Sequence, residues 1–472
     1  MVCLDSTEAP PTDDGAPSRR KGSKLRTPVS YSEALGRNTP LDDPDDTKTD
    51  GGLTLDTHIP TPTGWTSVAE VQVGDRVIGE KGQPVLVSAK SNILSHPCFE
   101  LVLSDGTRVL SDGNQRWLID LRGELCRVAT TAELDRFKGD LMPSGLKKYL
   151  RISNVQPIDF LLSAVLPIEP YIFGAWLGDG TAKSGEIAVG WQDYDEMMLE
   201  LSSRWDGDLE PYKSEGKATM VKLRSLRPTS CKGSHDPASF IMHYGFWRCP
   251  ECRGNPLASL GVAPLDHEDG LCRYNHPGSK GDNKVCRVCW TARYGWFQLE
   301  SDTEPLIDLL KNNGLHKNKM IPETYLRGSR DQRLLLLQGL MDTDGHWNPL
   351  RKRAVFINTN ENLAQGVAEL ARSFGVTVQW FLAPAVNARS KRSFMVEFKP
   401  VGFNPFSLPR KARPVAEFHL DPVPTRALAL WRYVRSIERI TSIPTQGIAV
   451  DSHENLFLVG RSYVVAQGLR GH

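Results

Sequence analysis

The chain has no run of 18 or more apolar residues and no charged-then-apolar layout at its start, so neither a membrane span nor a secretory leader is expected. It has no excess of either charge, with 57 Lys and Arg against 56 Asp and Glu for a formal net charge of +1. Overall charge is therefore silent about nucleic acid, and any basic surface has to be local. Cysteine is scarce over most of the length. Of nine cysteines, five fall between Cys249 and Cys289. Without signs of export, that clustering reads as metal binding before disulfides. The 472 residues suffice for two or three domains with a sizeable core.

Residues 1–51 are rich in Pro, Asp, Ser and Thr and read as a mostly disordered tail. From Leu53 to about Asn154 the pattern changes to short β-like runs such as Arg76-Val77-Ile78, Pro84-Val85-Leu86-Val87 and Phe99-Glu100-Leu101-Val102-Leu103, with turns at Lys81-Gly82 and Ser104-Asp105-Gly106. Near the other end, Gly447-Ile448-Ala449-Val450 and Asn455-Leu456-Phe457-Leu458-Val459 read the same way. An isolated pair of strands needs a sheet to join. The economical arrangement has these strands completing the N-terminal β domain, with the middle of the chain inserted into it. That middle carries helix signals at Glu304–Asn312, with Pro305 in the first turn, and at Asn360–Phe374, closed by Gly375.

Two matched segments lie inside the insertion. Ile172-Phe173-Gly174-Ala175-Trp176-Leu177-Gly178-Asp179-Gly180 and Leu337-Gln338-Gly339-Leu340-Met341-Asp342-Thr343-Asp344-Gly345 both have Gly in third place and end in Asp-Gly. The internal Gly lets a second backbone approach, and the final Gly suits a helix C-cap. Packed side by side, such helices bring Asp179 and Asp344 to one point, where the like charges call for a divalent cation. An oxygen-rich site of this kind favours magnesium, which activates water and stabilises a leaving oxygen in phosphodiester hydrolysis.

The pair resembles the two signature helices of the LAGLIDADG homing endonucleases, and Leu166-Pro167-Ile168-Glu169-Pro170-Tyr171 leads in as in intein-borne members of that family. Lys319-Met320-Ile321-Pro322 resembles the family's Lys-x-Ile-Pro segment, whose lysine lies at the active site. Lys411 in Leu408-Pro409-Arg410-Lys411, or Lys399, would be its counterpart in the second repeat. The resemblance implies that Asp179 and Asp344 bind Mg2+ and that Lys319 and Lys411 assist catalysis.

The β frame resembles the intein splicing domain of the Hint fold. Leu53-Thr54-Leu55-Asp56-Thr57-His58, Gly64-Trp65 and Val73-Gly74-Asp75-Arg76-Val77 look like its opening, and Gly447–Ser452 and Asn455–Gly460 like its closing strands. Splicing requires a nucleophile at the first position, a histidine that polarises the first scissile peptide, and a terminal His-Asn. Those positions align here with Gly52, Gln115 and Gln467-Gly468, followed by Leu469. None of these side chains performs acyl transfer or Asn cyclisation, so a frame that has lost splicing is expected.

Cys249-x2-Cys252 and Cys286-x2-Cys289 are two zinc knuckles, and Cys272-x3-His276 adds a further pair. The spacing leaves open whether one set is Cys249, Cys252, Cys286 and Cys289, or Cys272, His276, Cys286 and Cys289, with Cys231, His235, His243 and His267 as further donors. The zinc is expected to be structural. For DNA, Lys222 and Arg224 lie two apart on a strand and share a face, and Arg351, Arg353, Lys391 and Arg392 sit in the second repeat.

The expectation is a multi-domain chain: a tail at 1–51, an all-β Hint domain at 52–165 with 425–472, and an α+β LAGLIDADG domain at 166–424 of two pseudo-symmetric αββαββα repeats, carrying a zinc-binding insertion at 229–297. It is expected to be a free-standing, monomeric, site-specific double-strand DNA endonuclease, cytoplasmic and nucleoid-associated in a bacterial or phage-infected host. The alternative is a DNA-binding regulator or scaffold that has lost cleavage.

Overall fold

The computed structural model describes residues 50–121, 124–140, 150–160, 164–213, 218–225, 241–243, 246–248, 304–383, 392–420, 431–452 and 454–469. The expected tail, apart from Asp50 and Gly51, and the expected zinc ligands Cys249, Cys252, Cys272, His276, Cys286 and Cys289 lie outside these residues, as does Lys391. No helix among the described residues is long and apolar enough to cross a membrane.

The two ends of the chain build one β frame. Leu53–Thr54 pairs antiparallel with Thr445–Gln446, Cys98–Leu103 with Trp431–Ile440, and Gln467 faces Arg116, all within a ten-stranded sheet. Period-two burial explains why these segments are strands. In Cys98–Leu103, Cys98, Phe99, Leu101 and Leu103 are buried while Glu100 and Val102 are partly open. The frame encloses its own core, including Leu53, Val77, Trp117, Ile119, Phe457, Val459 and Val464.

The insertion has a second core built around two helices, α1 (Pro170–Asp179) and α4 (Arg330–Asp344). Eight of the ten α1 residues are buried, which makes it a helix apolar all round, enclosed on every side. Glu169 caps its start, accepting from the Ile172 N–H at 2.8 Å, with Pro170 at the first position. Ser329 and Gln332 form a reciprocal capping box on α4.

After α1 the chain forms β1 (Ile187–Gly190), α2 (Tyr194–Arg204), β2 (Leu209–Lys213), β3 (Ala218–Leu223) and α3 (Leu306–Asn312). After α4 come β4 (Gly345–Asn348), β5 (Arg353–Asn358), α5 (Glu361–Arg372), β6 (Val378–Leu382), β7 (Phe394–Phe398) and α6 (Pro409–Leu420). The two sheets share a strand order, β1-β3-β2 and β5-β7-β6, with β4 added at the edge of the second. In the first half the equivalent of β4 shrinks to a single bridge, Gly180 to Ile187. Helix α3 begins two residues later than the sequence signals place it, because Pro305 is its N-cap rather than part of its first turn.

Insertion and frame meet across a buried polar seam. Glu369 Oε1 accepts from Arg327 at 2.9 Å and, across the seam, from Trp65 Nε1 at 3.2 Å and Tyr463 Oη at 3.3 Å. Arg333, fully buried on α4, donates to the carbonyls of Gly328, Ser373 and the frame residue Ile158.

Candidate active site

The helices α1 and α4 touch through their glycines. A Cβ on Gly174 would fall 3.0 Å from Leu340 N and 3.2 Å from Gly339 Cα, and one on Gly339 would fall 2.8 Å from Ala175 N. No side chain fits between the backbones, as the matched third-place glycines imply. The terminal glycines are the C-caps expected of them, Gly180 giving its N–H to Trp176 O and Gly345 to Met341 O. Gly180 (φ −80°) and Gly345 (φ −102°) are extended rather than left-handed. They are needed because a Cβ would press on the preceding turn, 2.6 Å from Trp176 Cγ and 2.7 Å from Met341 Cα.

This packing brings the two helix C-termini together. A Cβ on Gly178 would lie 3.7 Å from Asp344 Cγ, so the Asp344 carboxylate reaches across to the residue before Asp179. Each helix end carries partial negative charge from its last carbonyls, and each adds a carboxylate. Burial, followed by the charge of Asp344, pushes Asp179 up to about 6. Burial also raises Asp344, against a 2.6 Å hydrogen bond from Asn358 Nδ2 and the charges of Lys319 and Lys411. Among the described residues no protein donor bonds Asp179. Two carboxylates with raised affinity for protons, one free of donors, suit a hard divalent cation.

Both lysines sit at this point. Lys319 Nζ donates to Gly178 O at 3.1 Å and lies 5.3 Å from the Trp176 ring centroid. Lys411 Nζ donates to the carbonyls of Asp342 (2.6 Å), Gly345 (2.9 Å) and Met341 (3.3 Å). Burial lowers the pKa of each lysine, while the neighbouring carboxylates pull it back up. Lys399 takes another place, near Arg353 and Lys352.

Sequence reasoning missed Asp342. It is buried, it accepts from Tyr171 Oη at 3.0 Å, and burial drives it up to about 7 against that bond. Its signal was an acid in an apolar helical run, paired with a tyrosine at the head of the other helix.

Of the cations expected to face DNA, several among the described residues are paired with acids. Lys222 lies 3.8 Å from Glu186 and stands over the Tyr212 ring at 4.4 Å, and Arg224 meets Glu210 at 2.8 Å. Arg224 falls one residue past the end of β3, yet both side chains are partly open while Val221, Leu223 and Ser225 are buried, so they share a face. Arg351 pairs with Glu397 at 3.1 Å, Arg353 opens β5, and Arg392 is exposed. Among the described residues no three His, Cys, Asp or Glu side chains gather as a metal site.

The frame brings Gly52, Gln115, Gln467 and Gly468 to one place. Gln115 Nε2 donates to Gln467 O at 3.0 Å, and Asp112 N donates to Gly52 O at 2.9 Å. The glycines are closed in. A Cβ on Gly52 would lie 2.7 Å from Gln446 N, and one on Gly468 would lie 2.6 Å from Ile448 O.

Residues 331–381, which run from α4 into β6, match the model of a LAGLIDADG-like domain. Over 447 residues the chain is 26% identical to the replicative DNA helicase DnaB of Mycobacterium intracellulare, an alignment covering 87% of this chain and 57% of that protein. The chain thus spans little more than half of that relative's length. A crystal structure of the Msm DnaB1 intein splicing domain bound with zinc is 37% identical over 17% of this chain and 61% of that one, with a TM-score of 0.16. Mesophilic variants of the homing endonuclease I-DmoI are 13% identical over 56% of this chain and 95% of theirs, with a TM-score of 0.22. The resemblance to intein-borne LAGLIDADG endonucleases drawn from the motifs stands.

Proposed function

We propose that this chain is a site-specific DNA endonuclease that hydrolyses one phosphodiester bond in each strand of a long duplex site, within a frame derived from an intein that no longer splices. The observation that carries the reading is the meeting of Asp179 and Asp344 at the ends of two close-packed helices, each end closed by a lysine. Asp179 and Asp344 would hold Mg2+, which when bound supplies charge to stabilise the leaving oxygen and acidifies water. The lysines place positive charge where the phosphate gains negative charge. The sheets after each helix would lie along the duplex with Lys222, Arg224, Arg351, Arg353, Lys391 and Arg392, and their contacts would weaken steeply with salt. The internal pairing of the two halves supports a monomer acting on both strands. A structural zinc on the Cys249–Cys289 cluster belongs to the same reading, resting on the paired Cys-x2-Cys spacing.

The test is incubation of the full chain and Mg2+ with a plasmid carrying the host locus joined across the position of this gene, beside Asp179→Asn and Asp344→Asn. The reading expects a double-strand cut that both substitutions abolish. Cutting that survives both sinks it, and binding without cutting by the unmodified chain favours a regulator or scaffold.

A further inference from the structure

Asp342 breaks the match between the two halves of the site. The equivalent place in α1 holds Leu177. Asp342 is 2% exposed, and its Oδ2 takes the backbone N–H groups of Ser407 at 3.1 Å and Leu408 at 3.2 Å in addition to the Tyr171 hydroxyl. Those two amides lead directly into α6, whose first turn carries Lys411. Lys411 then turns back and gives its ammonium to three carbonyls at the end of α4. The contacts close a circuit from α4 to α6 through the Asp342 carboxylate, and from α6 back to α4 through Lys411.

Lys319 stands in no such circuit. It spends one donor on Gly178 O, and its own carbonyl accepts from Asn360 Nδ2 at 2.6 Å. An ammonium has three protons. Lys411 has all three engaged, so its position depends on where α6 begins, whereas Lys319 keeps two free. Among the other ties of this segment, Ser407 Oγ to Glu200 at 2.8 Å and Arg410 to Asp193 at 2.8 and 2.9 Å reach α2 and the turn before it, while Gln338 of α4 holds the carbonyls of Asn404 at 3.1 Å and Phe406 at 3.5 Å, upstream of the two amides that Asp342 takes.

We propose that Asp342 is a positioning residue that sets Lys411 against the end of α4, and so controls only one of the two strand cuts. The inference rests on the endonuclease reading and adds an asymmetry to it. The ties to Glu200 and Asp193 keep α6 docked when Asp342 changes, so the fold survives while the ammonium loses its register. Misplacing a charged group by a fraction of its hydrogen-bond length slows the step it serves by roughly ten- to a hundredfold.

The test follows supercoiled, nicked and linear forms of the target plasmid, with each strand of a duplex version end-labelled in turn. Asp342→Leu, which copies Leu177, should leave the first nick near its usual rate and slow the second, so that nicked circles accumulate and one strand is spared. Asp342→Asn keeps an oxygen for the Ser407 and Leu408 amides and should recover most of the second rate. Lys411→Met should spare the same strand. If both nicks slow equally, or neither changes, or Lys411→Met spares the other strand, the positioning role is wrong while the nuclease reading stands. If the unmodified chain leaves the plasmid supercoiled, the nuclease reading falls and the strand-specific role falls with it. Should Asp342→Leu fail to fold, Asp342→Ser, whose shorter side chain draws its acceptor back from the Ser407 and Leu408 amides, takes its place with the same strand bias expected and the same results overturning it.

Discussion

Gln115 gives its side-chain amide to the main-chain carbonyl of Gln467 at 3.0 Å, joining two residues that are 352 apart in sequence. The bond fills the place where the splicing resemblance calls for a catalytic histidine. With the closed approach at Gly52 and Gly468, it adds a steric reason to the chemical one for the proposed loss of splicing. Restoring the missing side chains as Gly52→Cys, Gln115→His, Gln467→His and Gly468→Asn together should yield no self-cleaved fragments by mass spectrometry. The Gly52 change alone should lower stability by ~1–3 kcal/mol, because its Cβ meets the Gln446 backbone. Fragments released at either junction would contradict this.

Much of the layout was legible because it is written in local pattern. The strands of the frame show as alternating runs, and the helix pair shows as two copies of one segment. Lys411 was only faintly legible, since Leu408-Pro409-Arg410-Lys411 does not copy Lys319-Met320-Ile321-Pro322. The pairing of Lys222 with Glu186 and of Arg224 with Glu210 was not legible at all. It depends on sheet register, and a sequence does not show which strands lie side by side. The seam through Glu369, Trp65 and Tyr463 was hidden for the same reason, as its partners come from distant parts of the chain.

The glycine contact offers a sharper test of the helix pair. Gly174→Ala and Gly339→Ala each place a methyl group against backbone of the opposite helix, where no side chain can move away. Each should cost ~1–3 kcal/mol or more, and the pair should be less than additive, because separating the helices once relieves both. Thermal unfolding of the single and double variants measures it. Wild-type melting of either single variant would show that the helices do not pack this closely.

Glu369 is a buried acceptor for groups from both parts of the molecule. Glu369→Ala leaves Arg327, itself 7% exposed, without its buried carboxylate and should cost ~3–5 kcal/mol. Glu369→Gln keeps an oxygen for Trp65 and Tyr463 and should cost less. Because the seam joins insertion to frame, Glu369→Ala should also split a single denaturant transition into two. A single transition at the wild-type midpoint would mean that the seam contributes little.

Metal bound at the carboxylates would counter the pH response they give the metal-free protein. Asp179 has its pKa raised from 3.8 to about 6 and Asp342 to about 7, both through burial first, and Asp344 moves the same way. A carboxyl raised on folding binds its proton more tightly in the folded chain. The stability it contributes is complete below the unfolded value and is lost as pH rises through the folded one. Without metal, then, these groups favour a higher melting temperature at about pH 5 than at about pH 8. A cation must displace the Asp179 proton, so apparent Mg2+ affinity should fall about tenfold for each pH unit below the raised value and level off above it. Saturating Mg2+ should therefore lift the melting temperature most at the alkaline end and shrink or reverse the metal-free order. Asp179→Asn removes both the proton and the ligand, and should reduce the metal-free slope, leaving the part due to Asp342 and Asp344, while abolishing the Mg2+ shift. Melting curves across pH with and without Mg2+ decide it, and a Mg2+ shift of equal size at both ends of the range would show that the cation binds elsewhere.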